Sequence, residues 1–304
     1  MKKRIFALFL SALLLVTVLC ACGDESQSEV GGTGSDGTST SGEAVTGGEL
    51  VVGISQDLGD SLDPYQMTAA GTREVLFNVY EGLVKPTSTG EYVPAVASDS
   101  TVSEDGLTYT FPLREGVLFH NGEEVTTDDV IYSFETCAET TVDTALAAAL
   151  SAVESVTADG NTITVTLSEA NPDFLSYVGM VYIVPDDYTD QATAPVGTGP
   201  FRFVSRSVQQ NLVMEKFADY WGEGASLDKV TFQIFEDSNA LMSALSAESV
   251  DMAVHLTIDQ VNTIGEGTYK TLEGTMNLVQ ALYLNNNVEP FNNEKVRQAL
   301  CYAV

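Results

Sequence analysis

The chain has 304 residues, with 13 Lys and Arg against 43 Asp and Glu, and a formal net charge of −30. A charge of that sign and size repels phosphate backbones and anionic bilayer surfaces, which excludes nucleic-acid binding and electrostatic membrane association as primary functions. An apolar fraction of 44% with 18% charged residues belongs to a globular chain long enough for two domains or one large one, and its four Cys, with neither CxxC nor CxxH spacing, promise no zinc site and no disulfide framework.

In chain order, the first feature is an address. Lys2, Lys3 and Arg4 precede an uncharged apolar run over residues 5–19. That run is shorter than the roughly 20 residues a spanning helix needs, and it reads as an export signal. Leu19-Cys20-Ala21-Cys22 looks like a bacterial lipobox, which implies cleavage before Cys22 and acylation of its thiol and new amine. Cys20 fits less well, because bulky Leu19 would precede the cut. Residues 1–21 are therefore expected to be a lipoprotein signal peptide. Residues 22–48 follow as a lipidated Cys and a tether of Gly, Ser and Thr that cannot bury enough surface to fold. Losing the signal takes the net charge from −30 to −33, and the five acids of the tether leave −28 on residues 49–304.

A buried strand is expected at residues 49–54 and a helix over residues 72–83, with Val75, Leu76, Val79 and Leu83 on one face. Residues 107–113 alternate like a half-buried strand. Thr126 and Thr127 followed by Asp128 and Asp129 open a helix. Asp159-Gly160-Asn161 turns a hairpin between strands at 153–156 and 163–167. Gly197-Thr198-Gly199-Pro200 breaks the chain before a strand at 201–204. Two more strands are expected at 212–214 and 230–234, then a helix capped by Ser238 and short strands at 251–254 and 279–284. Asn292 or Asn293 caps a last helix with Val296, Leu300 and Val304 on its apolar face. The alternation is that of an α/β protein with mixed sheets. Because the last helix stops mid-pattern, the sequence is expected to be a fragment of a longer protein.

Several blocks then point to one family. VSEDGLTYTFPLREGVLFHNGEEVTTDDVIYSFE at residues 102–135, VGTGPFRFV at 196–204, ADYWGEGASLDKVTFQIFEDSNALMSAL at 218–245 and LYLNNNVEPFNNEKVRQALCYAV at 282–304 resemble the bacterial extracellular solute-binding proteins of family 5. That is the dipeptide-, oligopeptide- and nickel-binding type, the receptors of ABC importers. LDPYQ at Leu62 and NVYEGLV at Asn78 also fit. One departure is that the family often has Trp before the VSEDG-like segment, where Ser100 or Thr101 stands here.

The resemblance implies a periplasmic-binding-protein-like two-lobe α/β fold of type II, in the large peptide-binding class, with the second lobe mostly missing. Residues 49–85 and 193–275 would form the first lobe. Residues 86–192 would be its inserted subdomain, and residues 276–304 the crossing strand and the start of a truncated second lobe. It implies capture of peptides or similar small solutes outside the cytoplasm, on the cell membrane, for an ABC permease and ATPase complex. A sensory solute receptor is an alternative. An extracellular hydrolase is a weaker one, since neither a G-x-S-x-G elbow nor an H-E-x-x-H motif occurs.

No cofactor, metal or catalytic residue is expected. The loop after the first strand would face the ligand, as post-strand loops do in open α/β sheets. Tyr65, Met67, Thr68 and Thr72 are its candidate contacts. Gly197, Thr198, Gly199 and Pro200 are expected at the re-entry to the first lobe, in a structural or hinge-adjacent role. His120 and His255 are expected to be structural and Trp221, the only Trp, to pack in the core. Arg297 is expected in an ion pair, and Cys137 and Cys301 as small buried apolar residues.

Overall fold

Two sheets of different character divide the secondary structure. The computed structural model describes residues 46–264, 267, 269–274 and 282–303. The export signal, most of the tether, Cys22 and residues 279–281 of the strand expected at 279–284 lie outside the described residues, whereas residues 282–284 are described and form no strand. No helix among the described residues is long and apolar enough to cross a membrane.

The larger sheet uses β1 (Glu49–Ile54), β8 (Phe201–Ser207), β9 (Asn211–Lys216), β10 (Lys229–Ile234) and β11 (Met252–Ala253), in the order β11-β1-β10-β9-β8. β1 pairs in parallel with both β10 and β11, while β8, β9 and β10 form an antiparallel meander. A central strand covered on both faces should be apolar, and after its exposed first residue, Glu49, β1 reads LVVGI. Leu50, Val52 and Ile54 belong with the main core. Val51 joins a second cluster, made by Leu241 and Leu245 of the helix α5 (Ser238–Ser246) with Val250. Gly53 faces the same helix, where a Cβ would stand 2.3 Å from Leu241 Cδ1, so only glycine lets α5 approach this closely.

The smaller sheet is antiparallel throughout, in the order β4-β5-β7-β6, from β4 (Thr101–Val102), β5 (Thr108–Pro112), β6 (Val153–Asp159) and β7 (Thr162–Leu167). The expected hairpin joins β6 to β7, with Gly160 at φ 57° in its turn. β2 (Val84–Pro86) and β3 (Tyr92–Pro94) make a separate two-stranded ladder. Against the smaller sheet lies α2 (Thr127–Thr140), opened by a full capping box in which Thr126 and Asp129 satisfy each other's backbone N–H. α3 (Thr144–Leu150) and α4 (Phe174–Val178) complete this side. Tyr80, Phe111, Phe119 and Phe174 are fully buried in the main core.

Four local expectations are corrected. The first helix, α1, spans Ala70–Leu76 and does not reach Leu83. Beyond it, the carbonyls of Asn78 and Val79 bond to Phe201 and Gly199 of the re-entering chain, which fixes this stretch outside a helix. The N-cap of α5 is Asp237, whose side chain accepts from the Asn239 and Ala240 N–H groups, and not Ser238. Arg297 donates to the Phe291 carbonyl at 2.8 Å and forms no ion pair among the described residues. Cys137 is buried as expected, but Cys301 is exposed. α6 (Ile258–Ile264) precedes the last described helix, α7 (Glu294–Ala303), where the Asn293 side chain accepts from Lys295 N–H.

Candidate functional site

Because β1, β10 and β11 are parallel, their carboxyl ends share one edge of the sheet, the usual place for a ligand crevice in an open α/β layer. Residues 55–69 leave β1 at this edge and lead into α1. The structure turns most of their large side chains inward. Tyr65 is buried and its hydroxyl donates to the Tyr182 carbonyl at 2.6 Å. Burial raises its pKa well above the usual phenol value. Met67 is buried too, and its carbonyl accepts from Arg73, which also pairs with Asp143 at 3.0 Å. Thr72 is fully buried, with Oγ1 accepting from Gly59 N–H at 2.8 Å.

The open surface expected of Tyr65 and Met67 is therefore spent on packing, since the loop needs apolar anchors to hold its irregular backbone. Thr68 is the exposed member of the four. Around it the edge presents Gln56, Glu74 and His255. His255 follows β11 in a left-handed conformation, φ 59°, and its Nε2 lies 3.2 Å from Glu74 Oε2, linking the end of β11 to α1.

The re-entry segment at 197–200 is close-packed. A Cβ on Gly197 would meet the Val79 carbonyl oxygen at 2.3 Å, and one on Gly199 the Asn78 oxygen at 2.4 Å. His120 holds the same segment. Its backbone N–H donates to the Gly197 carbonyl, Gly197 N–H donates to Nδ1 at 3.3 Å, and Nε2 lies 2.9 Å from the Gly199 carbonyl. That pattern needs a neutral ring protonated on Nε2. Desolvation pulls its pKa down to about 4, against the bond to Gly199. Thr198 is buried against Glu81, and Pro200 lines a neighbouring cavity.

Sequence reasoning missed Glu81. This buried carboxylate accepts from Tyr220 Oη at 2.8 Å and Lys85 Nζ at 2.9 Å on one oxygen. On the other it accepts from Trp221 Nε1 at 2.7 Å and Thr198 Oγ1 at 3.4 Å. The Trp221 ring is only partly buried and takes Arg114 at 4.2 Å and Lys85 at 5.0 Å from its centroid. Burial and then the Glu81 charge push the Tyr220 phenol far up. A cavity of about 150 Å3 opens beside this group, lined by Phe77, Tyr92, Met180, Tyr182, Pro200 and Tyr220. The segments NVYEGLV and ADYWG supply Glu81, Tyr220 and Trp221, but nothing in their spacing says that they meet.

Among the described residues, no three His, Cys, Asp or Glu side chains cluster as metal ligands. Burial pushes the Cys137 thiol up to about 12, which keeps it protonated and unreactive at neutral pH.

Comparison with known proteins follows the same lines. The model of bacterial extracellular solute-binding proteins, family 5, middle region, matches residues 91–304. Heme-binding protein A of Haemophilus influenzae is 33% identical over 261 residues, covering 74% of this chain and 47% of that protein. Glutathione-binding protein GsiB of Pectobacterium atrosepticum is 29% identical over 255 residues, 80% of this chain and 49% of the relative. Among solved structures, the periplasmic binding protein DppA of Helicobacter pylori with the peptide STSA superposes with a TM-score of 0.66 at 30% identity, covering 72% of this chain and 48% of that one. The chain spans about half the length of the curated relatives it matches.

Proposed function

The chain belongs to the bacterial extracellular solute-binding proteins of family 5, and from that premise we propose that it is the receptor of an ABC importer. In this reading it captures a peptide or similar small solute outside the cytoplasm and delivers it to a membrane permease and its ATPase. The supporting observation is the family match over residues 91–304. The relatives bind heme, glutathione and a peptide, which supports a small solute of that kind as the ligand.

The ligand lies at the carboxyl edge of β1 and β11. Thr68 contacts it, while Tyr65, Met67 and Thr72 hold the loop from below. Residues 49–85 and 193–275 act as one lobe, with residues 86–192 as its inserted subdomain. Gly197, Thr198, Gly199 and Pro200 act as a packed seam within that lobe. Calorimetric titration of the full-length receptor, second lobe included, with reduced glutathione, the dipeptide Met-Leu, the tetrapeptide Ser-Thr-Ser-Ala and heme tests the reading. Affinity of about micromolar or tighter for one of them, near −8 kcal/mol, is the expected result. Binding to none, together with unchanged uptake of all four in a deletion strain, would overturn it.

Cys22 is the anchor in this proposal, and residues 22–48 are the tether. Each buried acyl CH2 adds about 0.8 kcal/mol, so multiple chains hold the receptor durably at the membrane. Labelling with a fatty-acid analogue should mark the natural protein. Cys22→Ala should lose the label and enter the medium; a label that persists moves the assignment to Cys20 or ends it.

A further inference from the structure

The segment at residues 58–60 crosses from the end of β1 toward the turn of the β8–β9 hairpin, which stands at the same edge of the sheet because Ser207 pairs with Asn211. It has no strand partner among the described residues. Its carbonyl oxygens converge instead on one side chain, Arg206 of the edge strand β8. Arg206 Nη2 donates to the Gly59 carbonyl at 2.7 Å and the Leu58 carbonyl at 3.2 Å, and Nη1 to the Asp60 carbonyl at 3.4 Å. From the other side, Gly59 N–H is held by Thr72 at the start of α1. Leu62 N–H is tied to the Ala192 carbonyl at 3.0 Å.

Two features mark the Arg206 contact as more than incidental packing. Arg206 has no carboxylate partner among the described residues, so its charge is matched only by these backbone dipoles. Its Nε is buried and has no hydrogen-bond partner among the described residues. A buried unpaired donor is costly, and native structures keep one where the surrounding geometry requires it. Here the guanidinium is drawn to aim both terminal nitrogens at three consecutive carbonyls. A lysine, a point charge on a flexible stem, cannot reproduce that fork.

We propose that Arg206 is a positioning residue for solute binding: it locks residues 58–60 before any solute arrives, and so presets the loop that carries Thr68 at the crevice edge. The proposal rests on the reading of that edge as the binding site. A preorganised loop avoids the ordering cost on binding, so its release weakens affinity without removing a contact. Freeing the backbone of even one of the three residues corresponds to roughly tenfold in affinity.

Three proteins decide the matter: the natural one, Arg206→Met, which keeps the apolar stem, and Arg206→Lys. Amide hydrogen exchange without solute is read first. The expected result is faster exchange at residues 58–62 in Arg206→Met, with β1, β9 and β10 still protected, and partial recovery in Arg206→Lys. Unchanged exchange at 58–62, or a uniform loss across the whole sheet, would overturn the proposal. Calorimetry with whichever of glutathione, Met-Leu, Ser-Thr-Ser-Ala and heme binds the natural protein is read second. A drop of about tenfold or more in Arg206→Met, less in Arg206→Lys, supports positioning, whereas a loosened loop with unchanged affinity refutes it. If none of the four binds the natural protein and uptake of all four is unchanged in a deletion strain, the solute reading is what fails, and the exchange result still decides whether Arg206 locks the segment.

Discussion

Glu81 and His120 are the two residues whose roles depend most on being buried. Four donors converge on the Glu81 carboxylate, and one of them is the Lys85 ammonium. Truncation would leave a cation, a phenol, an indole N–H and a hydroxyl facing a void. Glu81→Ala is expected to cost about 3–5 kcal/mol in urea unfolding, as breaking a buried ion pair does. The emission of Trp221 should also shift as its N–H is freed; a loss below 1 kcal/mol would show water replacing the carboxylate at little cost. His120 makes stability depend on pH. Its pKa is near 6.5 when unfolded and about 4 when folded. The unfolded chain therefore binds the extra proton between those values. The stability associated with the neutral ring is complete above pH 6.5 and is lost as pH falls toward 4, by about 3 kcal/mol in total. His120→Gln should flatten that limb of the pH profile, and a profile parallel to the natural protein's would rule the assignment out.

At the scale of elements, caps and close approaches decide where helices begin and how near they sit. Asp237→Ala should cost about 1 kcal/mol by leaving the first N–H groups of α5 unpaired. Ser238→Ala, one residue inside the helix, should stay within about 0.5 kcal/mol. Thermal unfolding of the pair checks the order, and a reversal would return the cap to Ser238. The sequence pattern places the cap at Ser238; it falls at Asp237 because that residue is still extended, φ −150° and ψ 169°, where the chain enters the helix. α1 illustrates the converse. Its apolar spacing continues to Leu83, yet the helix stops at Leu76 because the re-entry segment bonds to the carbonyls of Asn78 and Val79.

For the whole molecule, charge is the dominant variable. Residues 49–304 carry −28. Ion pairs that could offset it are few among the described residues, and Arg202–Glu215 and Lys229–Glu49 are exposed. Exposed pairs contribute about 0–1 kcal/mol each, so self-repulsion outweighs them. Salt shortens the Debye length from about 30 Å at 0.01 M to about 3 Å at 1 M. The melting temperature should therefore rise with sodium chloride, and a steady fall would mean that specific ion pairs hold the fold together.

The sequence by itself determined the class of the protein. Strand and helix periodicity, turn residues such as Gly160, the capping box at Thr126 and the family blocks are local signals, and β1, β5, β7 and α2 form where those signals stand. What only the tertiary structure decided is which groups meet across long separations. Glu81 with Tyr220 and Trp221, His120 with the segment at 197–200, and Arg206 with residues 58–60 are each pairs more than 70 residues apart. It also decided that Tyr65 and Met67 face the core while Thr68 faces out. The physical reason is that a polar or aromatic side chain in a loop has no period to reveal its direction. Its partner is set by how the two sheets and the re-entering chain pack, and burial then decides whether it serves as a donor, an anchor or a surface.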